Sequence, residues 1–250
     1  MLIAGVDGCK AGWIAVIHNL DVPDQFSCLV YDDFAEIVTQ ADLIAVDMPI
    51  GLPDRIIGNG REAEVAIRPH LGQRRSSIFA IPARGAVYAV LPQPRGMAAL
   101  LAGHAIATAT AKELSDPPKG LSFQAFNLFP KIREIDQLLC ANAHLRPRVH
   151  EAHPEAAFWR MNGNTPLATA KKLQGKVNPA GIAERRALLL AAGLPERIVT
   201  RSAPRGAGLD DYIDALACLV VAERLARGIA LSFPDPAAQD SHGLTIAIRV

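Results

Sequence analysis

Two short apolar runs in the first fifth of the sequence each end in an aspartate. Asp7 follows residues 2–6 and leads into a glycine-rich turn, and Asp47 follows residues 43–46. A carboxylate at the end of a buried strand is held by rigid backbone and faces a crevice, which suits a metal ligand or a general base. The alternative is that Asp7 only forms an Asp-Gly turn and that Asp47 only caps the proline-rich turn after it.

Three further aspartates open an apolar segment near the C-terminus. Asp210 and Asp211 stand at its start, and Asp214 follows three to four residues later, a spacing that places them on one helical face. Aspartate at a helix start is ordinary, because it caps the helix and favours the dipole. Asp214 lies a turn further in, beside the apolar stripe, so we expect it to face a site.

Two glutamates flank a proline turn in the third quarter of the chain. Glu151 ends a short strand-like run and Glu155 follows Pro154, so both are candidate carboxylates, although Glu155 also suits an ordinary helix N-terminus. The neighbouring His150 and His153 lack the spacing of zinc ligands on a helix, and we expect no zinc site.

Several basic side chains are candidates for binding phosphate. Arg74, Arg75 and Ser76 combine two guanidinium groups with a hydroxyl, and Lys131 lies in a helical segment. Residues 171–205 hold eight basic and two acidic residues, a composition that fits a surface for the phosphate backbone. The alternatives are that residues 74–76 form a solvated loop, that Lys131 is a surface lysine, and that residues 171–205 form a solvated helix and loop.

The periodicity of the apolar residues predicts the elements that position these groups. Three strands joined by short turns form an antiparallel meander, and a helix then connects it to a strand that a right-handed crossover lays parallel to the first. The segments concerned are residues 2–6, 13–17, 26–31, 34–41 and 43–46. Parallel strands that both end in aspartate place Asp7 and Asp47 at the same edge of the sheet.

The rest of the chain is predicted to be mostly helical. We expect a single domain over residues 1–250, with a largely helical insertion at 54–147 after the fourth strand. Within the insertion, two helical pieces should break near Pro130. Residues 244–250 are expected to close the chain as an edge strand.

Composition limits the classes of function. A net charge of +1 gives no global attraction to nucleic acid or membrane, so such a partner would need a local patch. Four separated cysteines without a CxxC pair predict a reduced, cytoplasmic protein. We expect no leader peptide, and no apolar run reaches the length of a membrane span.

Six stretches along most of the chain match the motifs of a known family. They are GVDGCKAGW (5–13), AVDMPIGLP (45–53), LGQRRSSIF (71–79), LSFQAFNLFPKIREID (121–136), VHEAHPEAAFWRMNG (149–163) and DDYIDALAC (210–218). With these stretches the sequence resembles the ribonuclease H-like fold, a mixed sheet that gathers carboxylates around two divalent metals, and more closely the DUF429 family of predicted ribonuclease H-like nucleases.

The resemblance implies metal-dependent hydrolysis of phosphodiester bonds in nucleic acid by two Mg²⁺ or Mn²⁺ ions, one activating water and the other stabilising the leaving oxygen. Its implied catalytic set is Asp7, Asp47, Glu151, Glu155, Asp211 and Asp214. Of these, Asp7, Glu151 or Glu155, Asp211 and Asp214 are implied as metal ligands. Arg74, Arg75, Ser76 and Lys131 would then bind the phosphate.

Two other classes of function stay open at this stage. Actin-like enzymes that transfer a phosphoryl group from ATP also begin with a strand, an Asp-Gly turn and a hairpin, but 250 residues are short for their duplicated domains. The same fold without catalysis would make a nucleic-acid-binding or scaffold protein, with residues 171–205 as the binding surface.

Overall fold

A five-stranded mixed sheet lies at the centre of the molecule, in a computed structural model that describes all 250 residues. Its strands are β1 (Leu2–Cys9), β2 (Gly12–Asn19), β3 (Phe26–Tyr31), β4 (Leu43–Asp47) and β5 (Val149–Glu151). Across the sheet they lie in the order β3-β2-β1-β4-β5. Strands β1 to β3 are antiparallel, whereas β4 and β5 run parallel to β1. The predicted α/β class, the meander and the parallel fourth strand are confirmed.

Nine α-helices accompany the sheet. They are α1 (Phe34–Ile37), α2 (Glu62–Ile67), α3 (Arg84–Val87), α4 (Met97–Glu113), α5 (Phe123–Ala141), α6 (Pro154–Met161), α7 (Pro179–Ala191), α8 (Glu196–Val199) and α9 (Leu209–Ala226). Helices α2 to α5 occupy the segment between β4 and β5, together with a 3₁₀ segment at Arg68–Ser77 and a two-residue strand pair. No helix combines the length and the apolar character needed to cross a membrane.

The two faces of the sheet bury separate apolar cores because alternate residues of each strand point to opposite sides. Ile3 and Ile14 face a core formed with α9, while Val6 and Trp13 face a core formed with α5. A third, smaller core lies beside α2 and α6. Burial on both faces explains why β1 and β4 read as continuous apolar runs.

Helix α9 lies against β1 at unusually close range. A Cβ atom on Gly5 would come within 2.0 Å of the Leu219 backbone nitrogen and 2.2 Å of the Ala215 carbonyl oxygen. Only glycine permits this approach. The contact brings the first turns of α9 beside the last residues of β1. Asp7 lies there inside the strand and not in the turn expected after it, because the pairing with β2 continues to Cys9.

Of two expectations about single elements, one is wrong and the other is confirmed. Pro130 does not separate two helices, because α5 continues through it and its apolar face is buried before and after the proline. The edge strand expected at residues 244–250 is present. It is β7 (Thr245–Arg249), which pairs with β6 (Ser232–Gln239) in an antiparallel ribbon separate from the central sheet. One bridge, between Ala152 and Arg249, connects this ribbon to the end of β5.

Candidate metal and substrate site

Three aspartates from distant parts of the sequence meet at the carboxyl ends of the parallel strands. Asp7 and Asp47 face each other in the register of β1 and β4, and Asp214 reaches them from α9. One carboxylate oxygen from each residue lies within 4.8 Å of the other two. Asp7 and Asp214 are buried, and Asp47 is half-buried. Three hard oxygen ligands around one point form a set that suits Mg²⁺ or Mn²⁺.

The electrostatics of this cluster are unfavourable without a cation. Burial raises the pKa of Asp7 well above its usual range, and the negative charges of Asp47 and Asp211 raise it further. Burial also raises the pKa of Asp47, an effect that His153 and Lys171 oppose. Removing carboxylates from water while crowding them together disfavours their charged forms. The cluster therefore favours any positive charge that enters it.

Two lysines supply part of that positive charge. Lys171 forms an ion pair with Asp214, and Lys172 forms one with Asp210. Both belong to a small hairpin whose strands are Lys172–Leu173 and Lys176–Val177. The hairpin thus lies against the start of α9.

Asp211 lies next to the cluster and also caps the N-terminus of α9. Its carboxylate accepts a hydrogen bond from the Gly208 backbone N–H at 2.8 Å, which closes the N-terminus of α9. Burial raises the pKa of Asp211. The hydrogen bond from Gly208 lowers it, and the negative charge of Asp210 raises it. Asp211 therefore caps α9 within electrostatic reach of Asp7.

The two candidate glutamates do not join the three aspartates and instead bind buried arginines. Arg61 donates to Glu151 at 2.7 Å, and Arg185 donates to Glu155 at 2.5 Å. Both arginines are fully buried. Glu151 also accepts from the Ile50 backbone N–H at 2.8 Å. Each glutamate thus neutralises an interior cation, and neither belongs to the group of three aspartates.

Of the four side chains that the family resemblance predicts to bind phosphate, only Lys131 lies beside the aspartates. Lys131 lines a cavity beside Asp7, donates to the Gly12 carbonyl and lies 4.2 Å from the centre of the Trp13 ring. Burial lowers the pKa of Lys131. Arg74, Arg75 and Ser76 do not line that cavity, although the adjacent Ser77 does.

The basic stretch at 171–205 does not form one continuous surface. Lys171 and Lys172 face the aspartates, Arg185 is buried, and Arg197 pairs with Asp24. The groups left outside these pairs are Lys176, Arg186, Arg201 and Arg205.

Sequence reasoning missed the arginines that neutralise the glutamates, the lysine on Asp214 and the role of Gly5. Glycine within a predicted buried strand was an available signal, because it often marks close backbone approach. The arginine pairs had no local signal, since Arg61 lies 90 residues from Glu151 and Arg185 lies 30 residues from Glu155.

The fold and the site together define an α/β protein with an acidic centre at the edge of a mixed sheet. A family model described as "Protein of unknown function (DUF429)" matches residues 5–239. The chain belongs to the DUF429 family. No curated protein and no solved structure matched the chain.

Proposed function

We propose that this protein is a metal-dependent hydrolase of phosphodiester bonds in nucleic acid, built on a ribonuclease H-like fold. The observation that carries the proposal is the convergence of Asp7, Asp47 and Asp214 at the carboxyl ends of β1 and β4. The strand order, with a meander on one side and parallel strands on the other, supports the fold assignment. Ligands of open α/β sheets bind at this end of the strands.

The donor atoms fit a divalent cation. The Oδ1 atom of Asp214 is buried and has no hydrogen-bond partner within the protein. An unpaired buried carboxylate oxygen is costly, and coordination to a cation would satisfy it. Asp7, Asp47 and Asp214 would hold the cation, with Asp211 beside them. When bound, Mg²⁺ or Mn²⁺ ions would neutralise the phosphate and activate water for attack on phosphorus.

The chain itself supplies the surroundings of the reaction. Lys131 presents an ammonium group on the cavity wall near Asp7, where it can hold a non-bridging phosphate oxygen. Asp7 is fixed by the hydrogen bond that its Oδ1 accepts from Gly8 N–H at 2.7 Å. Asp7 and Asp47 lie on paired strands of the rigid sheet, so their carboxylates are in position before the substrate binds.

The test is cleavage of labelled single-stranded, duplex, hybrid and branched DNA and RNA, with Mg²⁺ and separately with Mn²⁺. Asp7→Asn and Asp214→Asn should each abolish cleavage while the protein stays folded, as circular dichroism would show. Asp116→Asn is the matched control, because Asp116 is exposed and makes no side-chain hydrogen bond. It should cleave like the parent.

Each other outcome has a definite meaning. Cleavage retained in both Asp7→Asn and Asp214→Asn would refute the assignment of the centre. A folded parent that binds Mn²⁺ but cleaves none of these substrates would refute the nuclease and favour other phosphoryl chemistry. ATP with Mg²⁺ would then be the next ligand to test by thermal shift. A parent that binds nucleic acid but no metal would be a binding or scaffold protein.

A further inference from the structure

A cavity of about 220 Å³ opens directly beside the acidic centre. Asp7 and Asp47 line it, together with apolar side chains that include Met48, Ile78 and Phe79 and with the buried charged groups Arg61, Glu64 and Glu151. Phe79 is the one phenylalanine of the chain that is well exposed, at 37%. An exposed aromatic ring beside candidate catalytic carboxylates is available for stacking on a ligand ring.

The size of the cavity limits what can enter. An apolar cavity of about 150 Å³ is known to accommodate a benzene molecule. A cavity of about 220 Å³ therefore accepts one aromatic ring system, and it does not accept a stacked base pair. A base inside a duplex is stacked and paired, so it enters such a cavity only after leaving the helix.

Polar groups in the wall are placed to recognise such a ring. Asn127 lines the cavity, and its amide makes no hydrogen bond within the protein. The Nδ1 atom of His153, which also lines it, is buried and has no partner. An amide offers a donor beside an acceptor, which matches the edge of a nucleobase. Lys131 also lines the cavity, near Asp7, where a phosphate next to that base would lie.

We propose that the cavity binds one unpaired nucleobase of the substrate, stacked on Phe79, while the adjacent phosphodiester lies at the aspartates. This inference rests on the proposed nuclease function and adds the substrate class to it. The preferred substrate is then a nucleic acid with at least one unpaired nucleotide at the cleaved position, either at a strand end or extruded from a helix. A continuous duplex is a poor substrate because each base must first unpair.

The test compares three oligonucleotide duplexes of one sequence, each made in DNA and in RNA form. The first carries a single unpaired 2-aminopurine, the second carries 2-aminopurine in a base pair, and the third carries an abasic unit at the unpaired position. Binding is measured with the Asp7→Asn protein, which should not cleave them, and cleavage is measured with the parent. The unpaired base should bind at least tenfold more tightly than the other two, with a change in 2-aminopurine fluorescence.

A variant of the cavity lining tests whether the preference for the unpaired base depends on Phe79. Phe79→Ala should weaken binding of the unpaired base roughly five- to hundredfold, the range expected for loss of one stacked ring. It should leave binding of the abasic duplex unchanged. Leu101→Ala is the control, because Leu101 is exposed on α4 and does not line the cavity.

The failure of this inference is distinguishable from failure of the nuclease proposal. Cleavage of paired, unpaired and abasic substrates at equal rates would overturn the inference and leave the nuclease standing. Equal loss of affinity in Phe79→Ala for the abasic and the base-bearing duplex would also overturn it. A folded protein that neither binds nor cleaves any of the three would refute both. Terminal overhangs tested beside internal bulges distinguish a strand end from an extruded base.

Discussion

At the scale of single residues, the dominant feature of the site is the negative charge of Asp7, Asp47 and Asp214, whose carboxylates are crowded together and largely removed from water. Lys171 partly offsets this charge by pairing with Asp214, and the lysine is itself about a quarter exposed. A cation bound by the aspartates would compete with the Lys171 ammonium for the same carboxylate. The lysine therefore influences both the stability of the metal-free protein and its affinity for metal.

We expect Lys171→Met to destabilise the metal-free protein by about 1–3 kcal/mol, since removing one partner leaves a buried charge uncompensated. The same change should tighten Mn²⁺ binding, because the competing ammonium is gone. Chemical denaturation and calorimetric titration with Mn²⁺ measure the two effects. Lys176→Met serves as control, since Lys176 is exposed on the same hairpin and forms no ion pair. Weaker Mn²⁺ binding in Lys171→Met would contradict this account.

Glu64 is a second residue whose charge is withdrawn from water. It shares Arg61 with Glu151, so one guanidinium serves two carboxylates in the protein interior. Burial raises the pKa of Glu64 to about 7, with Arg61 lowering it and Glu151 raising it. In the unfolded chain this carboxyl ionises near pH ~4.3. Between these values the native state keeps a proton that the unfolded state loses, so stability falls as pH rises through this window.

Glu64→Gln should remove much of that fall. The variant should be more stable than the parent at pH ~8, by on the order of 1–2 kcal/mol, and differ little at pH ~4.5. Urea unfolding at both pH values measures this. Glu62→Gln, an exposed position on the same helix, should not change the pH dependence. A parent whose stability rises over this pH range while Glu64→Gln stays flat would show that the sign is wrong.

At the scale of elements, the decisive contact is between β1 and α9. Gly5 lets the α9 backbone lie directly on the strand, and Asp214 reaches Asp7 only through that approach. Strand β4 brings Asp47 by pairing with β1. The site therefore depends both on a strand pairing and on the docking of a helix.

Gly5→Ala should destabilise the protein by about 1–3 kcal/mol or more, because the new methyl group meets backbone atoms that cannot move aside. It should also weaken metal binding by displacing Asp214. Denaturant unfolding and Mn²⁺ titration test both. Gly85→Ala is the matched control, because its Cβ would meet only the mobile end of the Leu114 side chain, at 2.7 Å. Equal effects of the two changes would argue against the proposed role of Gly5.

At the scale of the whole molecule, the C-terminal ribbon β6–β7 is anchored through Asp240, which follows β6. The Asp240 carboxylate accepts from the backbone N–H groups of Leu52 at 2.9 Å and Leu244 at 2.8 Å. It also receives the Arg84 guanidinium at 2.8 Å. One buried carboxylate thus connects the segment after β4, the insertion and the ribbon.

Asp240→Ala should cost about 3–5 kcal/mol, since it leaves a guanidinium and several backbone N–H groups without their acceptor. Thermal unfolding of the variant beside Asp235→Ala tests this, because Asp235 is exposed in the same ribbon. A loss below ~1 kcal/mol would mean that water replaces the carboxylate and that the ribbon is held by its apolar contacts.

Local patterns were sufficient for much of the fold. Apolar runs identified β1 to β4, the crossover rule made β4 parallel to β1, and both together predicted that Asp7 and Asp47 share an edge. The ribbon strand Ser232–Gln239 was not predicted, because it contains Pro234 and Pro236 and proline is rare inside strands. The break expected at Pro130 was wrong because burial of the Phe126, Phe129 and Ile132 side chains holds α5 together.

The sequence by itself determined the α/β class, the family and the two strand-borne aspartates, because period-two patterning and chain connectivity are local properties. Only the tertiary structure decided which other carboxylates join them. It selected Asp214, and it assigned Glu151 and Glu155 to the buried arginines Arg61 and Arg185. A buried carboxylate binds whichever cation packing brings to it, and that partner lies at a distance along the chain that no local pattern encodes.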